Sequence, residues 1–129
     1  MRTSRWMPVA LLAGAILVAS VIPIPGSVPE DGGGIPTSGL FHVVGYAALA
    51  AAIGYALLAP GNRARALVAG TGGAGAYGAL IECVQYPIPY RTFSYLDMLV
   101  NVGGAALGAV ALLCALALSG SDQESDDHR

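Results

Sequence analysis

Seven polar side chains in this chain have the types and spacing to do chemistry. Glu82, Gln85, Arg91, Asp97 and Asn101 stand at the edges of apolar runs between Glu82 and Gly108, and His42 and Tyr46 form a second group upstream. Two carboxylates and an imidazole can act as general acids or bases. The arginine can pair an anionic group, and the amides can donate and accept hydrogen bonds. One histidine with two carboxylates is a poor metal set, and no nucleophile stands with a base beside it, so neither a metal nor any other cofactor is expected. A carboxylate inside hydrocarbon costs roughly 2.5 to 3.5 kcal/mol at mid-membrane and less near the interface. Residues that expensive call for a reason.

The background around them is what makes them expensive. The chain is 55% hydrophobic and only 11% charged, with a mean hydropathy of +0.64, whereas an ordinary soluble domain is nearer a quarter charged. An integral membrane protein is expected. The formal net charge of −2 leaves no basic patch to replace phosphate counterions, which excludes nucleic acid as a partner. All six cationic side chains are arginine. Cys83 and Cys114 lie far apart in apolar runs with no metal spacing, and are expected to be small packing residues rather than a disulfide.

Four apolar runs position the polar groups. They cover about 7–24, 40–59, 66–86 and 96–118, each long enough to cross a hydrocarbon core of about 30 Å with flanking help. The first begins after Arg2 and Arg5 and has small residues at Val18, Ala19 and Ser20, so a cleaved signal peptide is its rival reading. Prolines and glycines from Pro23 onward mark the first loop, Pro60-Gly61-Asn62 the second, and Pro87 and Pro89 the third. The segment 119–129 is polar and acidic and is expected to be a disordered tail. The fold class expected is all-α: a single-domain polytopic bundle of four transmembrane helices.

Charge bias orients the bundle. Arg2, Arg5, Arg63, Arg65 and Arg129 fall in the termini and the second loop, while Arg91 is alone across the other two loops. The positive-inside rule then puts both termini in the cytoplasm. All seven polar residues come out at the extracytoplasmic ends of their spans or in the outer third loop. Residues three or four apart share a helix face, so His42 with Tyr46, Glu82 with Gln85, and Asp97 with Asn101 each make a one-face pair. Facing lipid would leave them unsatisfied, and one outward-opening polar pocket between the helices is expected.

Small residues supply the close approach that such a pocket needs. Gly70, Ala74 and Gly78 repeat every fourth residue in the third run, and Gly104 and Gly108 form a GxxxG in the fourth. The run Gly70-Thr71-Gly72-Gly73-Ala74-Gly75 satisfies GxGxxG, but it follows an arginine-bearing turn and no strand. It is read as helix packing, not a dinucleotide site. The same spacing allows a homo-oligomer.

Glu82-x-x-Gln85 followed by Arg91, Ser94, Asp97, Asn101, Gly104 and Gly108 resembles the signature of the VanZ-like family, and His42-x-x-x-Tyr46 resembles its upstream motif. The resemblance covers about 40–118. It implies a small multi-helix protein of the cell membrane, in a family whose founding member is linked to teicoplanin resistance and whose molecular activity is unsettled. Family members often carry an Asp-Lys pair shortly before the histidine, where this chain has Ser38 and Gly39. If that lysine holds an anionic ligand in the family, this chain either uses Arg91 alone or binds something different.

The same residues also have plainer roles. Glu82 and Asp97 with Arg91 would make an ion-pair clasp between the third and fourth runs, although two acids against one arginine leave a surplus negative charge. Gln85 and Asn101 would serve as interhelical hydrogen-bond glue, and Tyr86, Tyr90 and Tyr95 as interfacial aromatics. Three functional readings remain: a module that binds membrane lipid head groups, a glycan or an amphiphilic compound; a membrane enzyme on a lipid-linked substrate, with Glu82 or Asp97 as acid or base; and a proton- or cation-conducting element of an oligomer. The surplus charge favours a ligand- or proton-handling site over a clasp, and of the three readings the first is preferred.

Overall fold

The computed structural model describes residues 2–23, 37–90 and 95–126. Most of the first loop, together with Arg91 and Ser94, lies outside the described residues. Among those described are four helices and no strand: α1 (Arg2–Val21), α2 (Thr37–Leu57), α3 (Arg63–Gln85) and α4 (Tyr95–Asp126). Within them the segments Ser4–Val21, Gly39–Leu57, Arg63–Gln85 and Tyr95–Ser119 are each at least 18 residues long, with mean hydropathy from 1.3 to 2.2. At about 1.5 Å per residue, every one is long and apolar enough to cross a membrane.

The breaks between helices have local causes. After α2, the Ala59 amide donates to Asn62 Oδ1 at 2.6 Å and Asn62 Nδ2 donates to the Leu57 carbonyl at 3.0 Å, so one asparagine holds both sides of the turn. Gly61, at φ 76°, supplies the left-handed residue that lets the chain reverse there. After α3, the Tyr86 amide still reaches the Glu82 carbonyl and the Ile88 amide the Gln85 carbonyl. Pro87 and Pro89, which lack N–H groups, prevent the helix from continuing.

α2 packs against all three other helices, and α3 also packs against α4. Val43 meets Gly104 and Ala47 meets Gly108, so α2 and α4 run the same way. Ala50 meets Gly70 while Tyr46 meets Gly78, so α2 and α3 run oppositely. The centre is built from Tyr46, Leu49, Ala50, Ala74 and Ala105, with Ile16, Ile53 and Tyr77 packed against it. Large apolar side chains such as Phe41, Val68, Leu99 and Leu118 are instead exposed. Small residues inside and large apolar ones outside suit a bundle whose exterior meets hydrocarbon.

The element bounds differ from the sequence expectation at several ends. α1 stops at Val21 rather than near Ile24, and α3 starts at Arg63 rather than Ala66. Helical backbone continues past the apolar run of α4 to Asp126, into the stretch expected to be a disordered tail. Cys83 and Cys114 are free, and both are exposed on the bundle's outside rather than packed within it as expected. On a surface facing hydrocarbon a small apolar thiol needs no buried seat.

A candidate polar site at one end of the bundle

The close approach of α4 to α2 sets the geometry. A Cβ added at Gly104 would lie 2.6 Å from the Val43 carbonyl oxygen and 2.9 Å from its Cα. One added at Gly108 would overlap the Ala47 carbonyl group, with the carbon at 2.7 Å. Only residues without a side chain allow backbones this near, and both glycines of the GxxxG are spent on α2. Gly70 plays the same part on α3, where a Cβ would meet Gly54 N at 3.0 Å.

One turn above Gly104 on α4 is Asn101, and one residue before Val43 on α2 is His42. Their Nδ1 and Oδ1 atoms are 3.0 Å apart, so the His42 ring donates to the Asn101 amide oxygen and joins the two helices. Tyr46 lies one turn further along α2, its ring tilted 50° to that of His42 at 6.0 Å between centroids. Gly78 of α3 closes the junction: a Cβ there would meet Asn101 Cβ at 3.0 Å, Asn101 Nδ2 at 3.1 Å and Tyr46 Cε1 at 3.2 Å. Three helices thus meet around one glycine.

Tyr46, Glu82 and Asn101 are each 1% exposed and rank among the largest fully buried side chains. Glu82 lies one turn beyond Gly78 on α3. The Tyr46 hydroxyl and Asn101 Nδ2 are buried with no hydrogen-bond partner among the described residues. His42 and Asp97 are half-buried and form the more open side of the cluster. Among the described residues, no three His, Cys, Asp or Glu side chains gather as a metal set.

Gln85 is brought to the same end but turned elsewhere. Its Nε2 donates to the Ser20 carbonyl of α1 at 3.0 Å, within the last turn of that helix, where carbonyls have no intrahelical partner. Tyr90 donates to the Val21 carbonyl at 2.7 Å in the same way. Tyr77, deeper in the bundle, donates to the Ala13 carbonyl at 2.6 Å. These contacts tie α3 and the segment after it to α1; Tyr77 was not singled out from sequence, and Ser20 was noted only for the signal-peptide reading. A phenol in the middle of an apolar run is a signal that could have found Tyr77. The backbone carbonyls that receive these bonds carry no signal, because every residue has one.

Of the seven polar residues read from the sequence, His42, Tyr46 and Asn101 are in direct register. Glu82 is buried beside them, Asp97 is one turn away on α4, Gln85 faces α1, and Arg91 lies outside the described residues. No family model matches the chain, and no curated protein or solved structure matches it either.

Proposed function

We propose that this chain is a VanZ-like polytopic protein of the cell membrane whose polar cluster binds the head group of an envelope lipid, a glycan or an amphiphilic compound. One observation carries the reading: the Tyr46 hydroxyl and the Asn101 amide nitrogen are buried at a three-helix junction with no protein partner among the described residues. Each buried donor left unmade costs about 1–3 kcal/mol. A ligand oxygen accepting from both recovers that loss, and Glu82 accepts in turn from a ligand hydroxyl. The half-buried His42 and Asp97 are the side by which a head group enters, and the apolar helix walls take an acyl part.

The arginines at the opposite end orient the site. Arg2, Arg5, Arg63 and Arg65 at that end support, through the positive-inside rule, an orientation with both termini in the cytoplasm and the polar cluster on the extracytoplasmic side. Tolerance to an envelope-directed antibiotic is the physiological role that the family resemblance favours.

The test compares wild type with Asn101→Leu, Glu82→Gln and Arg91→Ala. Each is purified folded, and the envelope lipids that remain bound are identified by mass spectrometry. Loss of a specific lipid or glycolipid in the variants, with matching sensitivity to envelope stress in cells, supports binding. Folded variants with unchanged bound lipid and unchanged stress tolerance would refute it.

A further inference from the structure

An open apolar groove of about 470 Å³ lies between α3 and α4, at the end of the bundle away from the polar cluster. It is lined by Leu67, Val68, Thr71, Gly72 and Ala109. That volume is within the range of about 300–1,000 Å³ usual for sites that hold small molecules. Gly72 leaves it open: a Cβ there would meet nothing within 4 Å.

The spacing of the lining residues links this groove to the two arginines that begin α3. Residues three and four apart share a face, so Arg63 heads the row Leu67 and Thr71, and Arg65 heads the row Val68 and Gly72. From Arg63 to Thr71 is about 12 Å along the axis at about 1.5 Å per residue. Both arginines are exposed, and neither has an ion-pair partner among the described residues. Arg5, at the same end, is occupied: it donates to the Leu58 carbonyl at 3.2 Å and lies over the Tyr55 ring at 5.2 Å.

We propose that this groove seats an anionic phospholipid, with one acyl chain against Leu67, Val68, Gly72 and Ala109 and the phosphate on Arg63 and Arg65. The groove falls within Arg63–Gln85 and Tyr95–Ser119, two helices long and apolar enough to cross a membrane, where an acyl chain would be the neighbour at hand. A flexible chain fills an open groove of this kind, where a void forfeits contact on one side. The two guanidiniums choose the head group by charge, as basic clusters at a membrane surface do. The site is independent of the polar cluster and of the function proposed for it.

The test uses the purified full chain and native mass spectrometry, with phosphatidylglycerol and phosphatidylcholine of identical acyl chains as probes. Wild type should retain phosphatidylglycerol in preference. Arg63→Gln with Arg65→Gln should reduce that preference roughly twenty-five-fold, taking about fivefold per arginine. Gly72→Leu, which the open space admits without backbone movement, should shorten retention of both lipids, and excess inorganic phosphate should not displace the lipid from wild type. The proposal is overturned if the double arginine variant keeps its preference or if Gly72→Leu retains lipid as wild type does. Displacement by inorganic phosphate alone would also overturn it, as would a dimer in phosphatidylcholine that Gly72→Leu dissociates.

Discussion

His42 Nδ1 and Asn101 Oδ1 stand 3.0 Å apart across α2 and α4, although 59 residues separate them in sequence. The contact exists because Gly104 and Gly108 bring α4 onto the backbone of α2 just below it. The two residues should therefore be energetically coupled. A double-mutant cycle with His42→Ala and Asn101→Ala, read by reversible unfolding in mixed micelles, should give about 0.6 kcal/mol and at most about 1.7 kcal/mol, the range for hydrogen bonds between membrane helices. Strict additivity would mean that the pair does not form.

Gly108→Val places methyl groups where the Ala47 carbonyl already sits, and Gly104→Val does the same against Val43. Overpacking of this kind costs about 1–3 kcal/mol, and more where backbone rather than a flexible side chain must move. Gly103→Val is the control, since its added Cβ meets nothing within 4 Å. Thermal unfolding in detergent should separate the first two variants from the third. If all three lose the same stability, helix propensity is responsible rather than close packing.

Gln85, Tyr77 and Tyr90 attach α1 through its backbone carbonyls. Tyr77→Phe should lower stability by about 0.5–1.5 kcal/mol, the net value of one hydrogen bond. Gln85→Leu should do the same and should also raise proteolytic cleavage within the last turn of α1. Residues 2–21 expressed as a separate fragment should co-purify with the remainder of the chain. A fragment that fails to associate, with unchanged stability in both point variants, would show that these contacts contribute nothing.

Topology is open to direct measurement because Cys83 and Cys114 are exposed and free. Alanine at both should leave the fold within about 0.5 kcal/mol of wild type. In that background, Tyr90→Cys should react with an impermeant thiol reagent from outside intact cells, and Arg65→Cys only after permeabilisation. Labelling of both from one side would remove the orientation proposed for the polar cluster.

Much of this arrangement was legible in the residues alone. Composition and the length of the apolar runs led to four helices, since in hydrocarbon a backbone must satisfy its own hydrogen bonds and a helix does so locally. The positions of His42 and Tyr46, Glu82 and Gln85, and Asp97 and Asn101 along their runs, with alternation of direction, put them at one end, but the shared face expected of Glu82 and Gln85 did not keep them together, since Gln85 turns to α1. The helix ends were less legible. Whether α1 stops at Val21 or Ile24 depends on which carbonyls find partners, and those partners are on Gln85 and Tyr90, far along the chain.

What the sequence determined by itself is thus the set of elements and, for the described polar groups, the end of the helix on which each lies, because both follow from position along single helices. Which helices touch, and which side chain meets which, only the tertiary structure decided. The glycines of α4 could equally have served α1 or α3. The backbone of α2 lies against them, so Asn101 meets His42, while Gln85, one turn from Glu82, leaves the cluster for a carbonyl of α1. Pairing between helices depends on the sum of many short-range contacts in three dimensions, and no periodicity in one dimension encodes that sum.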